Sequence, residues 1–128
     1  MRQGALITNG VILERHEMMT VNFLLRLGFN IELIPKSNKA GVRTPDLRML
    51  GLEWEMKSPK GCGKYLLQNV VHRAAKQSEN MIIDLRRVKI HPTKCLNELE
   101  KQFGYSKSCR RMKVITKLGE MVDFNKKS

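Results

Sequence analysis

Residues 44 to 61, TPDLRMLGLEWEMKSPKG, decide how this chain folds. From Leu52 to Lys57 apolar and charged residues alternate: Leu52, Trp54 and Met56 against Glu53, Glu55 and Lys57. A period of two is that of a half-buried strand. Leu47 and Met49 alternate in the same way with Asp46 and Arg48, and Gly51 separates the two runs, so the stretch reads as a hairpin. A two-residue turn at Leu50-Gly51 sets Met49 opposite Leu52, Arg48 opposite Glu53, Leu47 opposite Trp54 and Asp46 opposite Glu55. Opposed side chains share a face. One face is then apolar, while the other brings two carboxylates together beside Lys57. Like charges across a ladder repel, so this register asks for something positive between Asp46 and Glu55. A divalent cation held by oxygen ligands, Mg²⁺ or Mn²⁺, meets that need. A solvated face of Arg48–Glu53 and Glu55–Lys57 ion pairs is the plainer alternative.

Pro45-Asp46 followed by Glu55-Met56-Lys57 resembles the PD-(D/E)XK nuclease pattern. The resemblance implies Asp46 and Glu55 as metal ligands and Lys57 as the group that positions the attacking water. In such nucleases a helix before the first strand often adds an acid, and Glu17 is the candidate here. It lies on the stripe of Leu13, Val21 and Leu24, where a carboxylate is costly unless paired.

The net charge is +12, from 24 basic and 12 acidic residues. Residues 65–128 hold 14 of the basic and 6 of the acidic side chains, so the excess is greater in the second half. Such a field attracts polyanions, of which nucleic acid is the commonest. No lysine-rich amphipathic helix with an aromatic face suggests a membrane surface. Aromatic residues make up only 5%, which argues against extended base stacking. Three cysteines, Cys62, Cys95 and Cys109, lack metal-ligand spacing and read as reduced thiols. The N-terminal apolar run is broken at Thr8-Asn9-Gly10 and is neither a signal peptide nor a membrane span.

The remaining elements follow from periodicity. Residues 1–10 give no element. A helix is expected from about Val11 to Leu27, stopped at Gly28, and a strand from Phe29 to Ile34. Pro35 to Thr44 is a basic loop whose Lys36, Lys39 and Arg43 could meet phosphates or simply water. From Lys64 to about Ser78, Leu66/Leu67, Val70/Val71 and Ala74/Ala75 recur as the buried stripe of a helix. Its other face carries Gln68, His72 and Lys76 in one row and Asn69, Arg73 and Gln77 in the next, residue types suited to nucleic acid. Asn80 to Leu85 is a buried strand parallel to an earlier one, because a crossover helix precedes it. Asp84 after it is a further ligand or an arginine's partner, and Arg86 and Arg87 are candidates for phosphate contact. Pro92 to Phe103 is a helix ended by Gly104, followed by strands to about Lys117 and from Glu120 to Phe124. The length suits one domain, residues 1–128, with a core over about 11–90 and a C-terminal helix and hairpin over about 92–124.

HEMMTVNFLLRLGFNIELIP, GVRTPDLRMLGLEWEMKSPKG and QNVVHRAAKQSENMIIDLRR together are similar to the C-terminal tRNA-nuclease domains of bacterial contact-dependent growth-inhibition toxins. The likeness spans about residues 14 to 90. It implies a ribonuclease that acts on tRNA in the cytosol, delivered as part of a larger toxin and neutralised by a cognate immunity protein. No delivery region is read in the chain, so an isolated domain or a small intracellular protein of mobile-element origin is expected.

The expected fold is α/β, a mixed sheet flanked by helices with a PD-(D/E)XK nuclease-like core. The expected activity is metal-dependent hydrolysis of RNA by Asp46, Glu55 and Lys57 with Glu17, the substrate being held by Gln68, His72, Arg73, Lys76 and Arg86. The alternatives are a DNA nuclease of the same fold, a metal-independent ribonuclease using His16 or His72, and a basic nucleic-acid-binding protein that cuts nothing.

Overall fold

The computed structural model describes residues 2–127. In chain order the elements are β1 (Leu6–Ile7), α1 (Arg15–Arg26), β2 (Ile31–Leu33), β3 (Leu47–Met49), β4 (Leu52–Lys57), α2 (Leu66–Ala75), β5 (Asn80–Asp84), α3 (Pro92–Tyr105), β6 (Arg111–Ile115) and β7 (Met121–Asn125). The strands form one sheet whose spatial order is their order in the chain. The pairs β1–β2, β4–β5 and β5–β6 are parallel; β2–β3, β3–β4 and β6–β7 are antiparallel. Each parallel pair needs a crossover, and each has one helix between its strands. The sheet is therefore mixed, as the alternation and the crossover helix imply.

Strand β5 is buried throughout and divides the core. Ile82 packs in a cluster with Val21 and Leu24 of α1 and with Leu33, Leu47, Met49, Trp54 and Met56. Met81 and Ile83, pointing the other way, pack with Leu67, Val71 and Ala74 of α2, Leu99 and Phe103 of α3, and Met112 and Val114 of β6. Helix α1 thus covers one face and α2 with α3 the other. The core extends well beyond residue 90, because α3 and β6 supply much of the second cluster.

The hairpin adopts the expected register: Leu47 with Trp54, Arg48 with Glu53, Met49 with Leu52. Leu50 (φ 58°) and Gly51 (φ 73°) both have positive φ, as the two-residue turn that matches strand twist requires. Trp54 is buried, and its indole N–H donates to the Met49 carbonyl at 2.8 Å. On the other face Arg48 lies 3.7 Å from Glu32 and 3.3 Å from Glu53, an ion-pair row across three strands.

Several boundaries differ from expectation. Helix α1 begins at Arg15 rather than Val11, where the Glu17 carboxylate accepts the Glu14 N–H at 2.9 Å and closes the first turn. Helix α3 runs through Gly104 to Tyr105. Residues 1–10 contain β1, too short for a period to show, and it pairs with β2 because Gly4 lies against the Phe29 carbonyl, where any Cβ would collide. Among the described residues no helix is long and apolar enough to cross a membrane.

Candidate active site

The candidate site is where β3 leaves the sheet while β4 continues. Regular pairing of β3 with β4 stops at Leu47 and Trp54. The next residue, Asp46, donates its N–H to the Trp54 carbonyl at 2.9 Å, and its own carbonyl accepts the Ile34 N–H at 2.9 Å. The ladder therefore does not continue to a regular Asp46–Glu55 pair. It bends as at a β-bulge, a feature that re-aims side chains. The Asp46 carboxylate turns onto β4, where Oδ2 accepts the Met56 N–H at 2.7 Å and Oδ1 accepts the Lys36 ammonium at 2.8 Å.

Glu55 is the electrostatic centre. Its carboxylate is 7% exposed, with Oε2 lying 3.2 Å from the Lys57 ammonium. The other oxygen, Oε1, is buried without a hydrogen-bond partner. Burial first, then the negative charge of Asp46, push the Glu55 carboxyl from its ordinary 4.5 up to about 7, against the opposing pull of Lys57 and Lys36. The hairpin thus brings two carboxylates within each other's field, and two ammonium groups partly compensate them. Lys36 was legible only as part of a basic loop; nothing in the sequence pairs it with Asp46.

A cleft of about 390 Å³ opens at the C-terminal end of β4. Lys57, Ser58 and Lys60 form one wall, His16 and Glu17 of α1 a second, and Val70 and Arg73 of α2 a third. Lys57 joins the cleft to the carboxylates, since its ammonium rests on Glu55. Glu17 reaches the cleft wall, but its Oε1 is occupied by the Glu14 amide, and it does not gather with Asp46 and Glu55. Among the described residues no group of three or more His, Cys, Asp or Glu side chains is placed to hold a metal ion. The donor set is a carboxylate pair with one buried, unpartnered oxygen. A hard cation such as Mg²⁺ or Mn²⁺, which takes one or two carboxylates and keeps several waters, would be held there by Glu55 Oε1, with Asp46 joining only by releasing Lys36 or the Met56 amide.

The polar rows of α2 separate. Arg73 faces the cleft beside Lys57, whereas Gln68 and His72 line a different cleft, toward α3. Lys76 is exposed at the end of the helix, and its carbonyl accepts Arg43 at 3.1 Å. Arg86 is engaged within the fold. Its Nε lies 3.0 Å from Oδ1 of Asp84 and its Nη2 2.8 Å from Oδ2. Nη2 also reaches the Met19 carbonyl at 2.9 Å, and the guanidinium stacks 5.0 Å over the Phe23 ring. Thr20 of α1 completes the group, donating to Asp84 Oδ2 at 2.6 Å. Asp84 is therefore an arginine's partner, the second of the two roles open to it. Thr20 was not anticipated, because a threonine beside a core valine and one helical turn before Leu24 carries no signal of its own.

Comparison with known proteins places this geometry. The profile described as "Contact-dependent growth inhibition CdiA C-terminal domain" matches residues 43–121, from the loop before β3 to the start of β7. No curated protein matches the chain. A chain of the solved CdiA-CT/CdiI toxin and immunity complex from Burkholderia pseudomallei is similar in structure, with a TM-score of 0.70 at 17% identity. The match covers 96% of this chain and 100% of that one, so the two share a fold. With more than half of its residues under the family profile, Asp46, Glu55 and Lys57 among them, this chain belongs to the contact-dependent growth inhibition CdiA C-terminal domain family.

Proposed function

We propose that the domain is a toxic endoribonuclease that hydrolyses phosphodiester bonds in tRNA with the help of Mg²⁺ or Mn²⁺. The observation that carries this reading is Glu55: a buried carboxylate with one unpartnered oxygen, beside Asp46 and in contact with Lys57. Buried polar groups are normally satisfied, and a buried carboxylate oxygen left open within the field of a second carboxylate is disposed to take a cation. A bound divalent ion supplies Lewis acidity, activating water and offsetting charge on the scissile phosphate.

The protein's own groups have distinct tasks. Asp46 and Glu55 present the oxygens, and the Met56 amide fixes the angle of the Asp46 carboxylate. Lys57 stands between Glu55 and the cleft, where it orients water or draws in a phosphate. Lys60 and Arg73 add positive charge to the same walls. Glu17 sets the start of α1, and with it the position of His16. The net charge of +12 favours a polyanionic substrate.

The family and the partner in the similar solved complex support delivery into a target cell and neutralisation by a cognate immunity protein. A metal-free reading has one observation in its favour, the presence of His16 in the same cleft as Lys57.

Incubating the purified protein with total tRNA, and separately with duplex DNA, with and without EDTA, tests these readings together. Cleavage of tRNA that stops with EDTA is expected, and Asp46→Ala and Glu55→Ala should each lower it by more than roughly 10²-fold while the fold persists. Activity surviving both substitutions rejects the site. Cleavage indifferent to EDTA but lost in His16→Ala transfers it to the metal-free mechanism.

A further inference from the structure

A second cleft, of about 730 Å³, lies between α2 and α3 on the flank of α2 away from Lys57. The chain has two tyrosines, and both stand in its walls: Tyr65 before α2, 56% exposed, and Tyr105 at the end of α3, 68% exposed. An exposed aromatic ring is common; two from different elements at one cleft are less easily set aside. Each ring has an ammonium beside it, Lys64 at 5.4 Å from the Tyr65 centroid and Lys101 at 5.9 Å from that of Tyr105. Lys94 adds a third positive charge. The one acid in the wall, Glu98, accepts the Gln102 amide at 2.8 Å. Gln68 and His72 add hydrogen-bonding groups to the same walls.

We infer that this cleft binds unpaired nucleotides of an RNA strand, with bases stacked on Tyr65 and Tyr105 and phosphates held by Lys64, Lys94 and Lys101. Rings with flanking cations are the equipment by which proteins hold single strands: every base has a face to stack, and the backbone follows the positive charge. An acidic protein surface, which can also pack on tyrosine rings, is the rival occupant; the net charge of +12 and the proposed RNA substrate favour the strand. The inference rests on the proposal that the substrate is RNA, and it adds a holding site apart from the cleavage site. Although aromatic residues are few, the fold collects both tyrosines where stacking can use them.

The test uses a short single-stranded oligoribonucleotide, with the corresponding duplex as control. Fluorescence anisotropy would read its binding to the full chain carrying Glu55→Gln, which prevents consumption of the probe. Tyr65→Ala and Tyr105→Ala should each weaken single-strand binding roughly 5- to 150-fold, the span measured for loss of one stacked base. Tyr65→Phe and Tyr105→Phe should bind like the parent, and duplex binding should change little. Both tyrosines are exposed, so alanine hollows no core. Single-strand binding unchanged in both alanine variants, or lost equally with phenylalanine, overturns the inference. Unchanged binding also leaves an acidic protein as the better occupant. Tyrosine-dependent binding by a protein that cleaves no nucleic acid would uphold the cleft and refute the nuclease. Cleavage without tyrosine dependence would do the reverse.

Discussion

At the scale of single residues, Glu55 couples folding to proton concentration. The folded protein holds a proton on this carboxyl up to about pH 7, whereas the ordinary group releases it near 4.5. A raised value in an acid means that the group's contribution to stability is fully present below about 4.5 and is lost as the pH rises through about 7. Glu55→Gln, which cannot ionise, escapes that loss. The variant should match the parent in acid and gain on it across this window, reaching an advantage of roughly 1–3 kcal/mol above it. Urea unfolding curves at a series of pH values would show this, and a difference independent of pH would contradict it. On the proposed mechanism the same substitution removes cleavage, so activity and stability would pull in opposite directions at this one residue.

At the scale of elements, the Asp84–Arg86 pair joins the end of β5 to α1 through Thr20 and the Met19 carbonyl. Asp84 is 3% exposed and Arg86 21%. Removing one partner from a buried pair leaves a charge without compensation, so Asp84→Ala should destabilise the protein by about 3–5 kcal/mol. A loss below about 1 kcal/mol, the worth of a surface ion pair, would show that the contact does not fasten the helix. The hairpin and the crossover helix were legible because each rests on a local period, two for Leu52–Lys57 and close to four for Leu66–Ala75, and the parallel strand after them because a crossover helix implies it. What period cannot give is which loop residue answers a buried charge, as Lys36 does, or where a ladder bends. The departure at Asp46 is set by Ile34 and Trp54 pulling its backbone from two sides, a tertiary effect that no repeat encodes. Glu17 shows a related ambiguity. An acid near the start of a helix serves capping as readily as chemistry, and only coordinates reveal which atom its oxygen meets.

At the scale of the whole molecule, a net charge of +12 on 128 residues should make binding of the proposed RNA substrate strongly dependent on ionic strength. If several lysines and arginines along the two clefts replace counterions, the logarithm of affinity should fall linearly with the logarithm of salt, with a slope near −0.7 per phosphate contacted on a single strand. Titrating the oligoribonucleotide at a series of salt concentrations measures that slope; a flat line would rule out an electrostatic footprint. The sheet itself has a mechanical consequence. Since neighbours in space are neighbours in sequence, each strand forms its first partnership with the one before it and can be peeled away without cutting through the others. Traction applied to the amino-terminal end meets first the two residues of β1, the shortest strand among the described residues. Next along the chain is α1, whose tie from Thr20 to Asp84 of β5 arrests such unravelling until that bond gives.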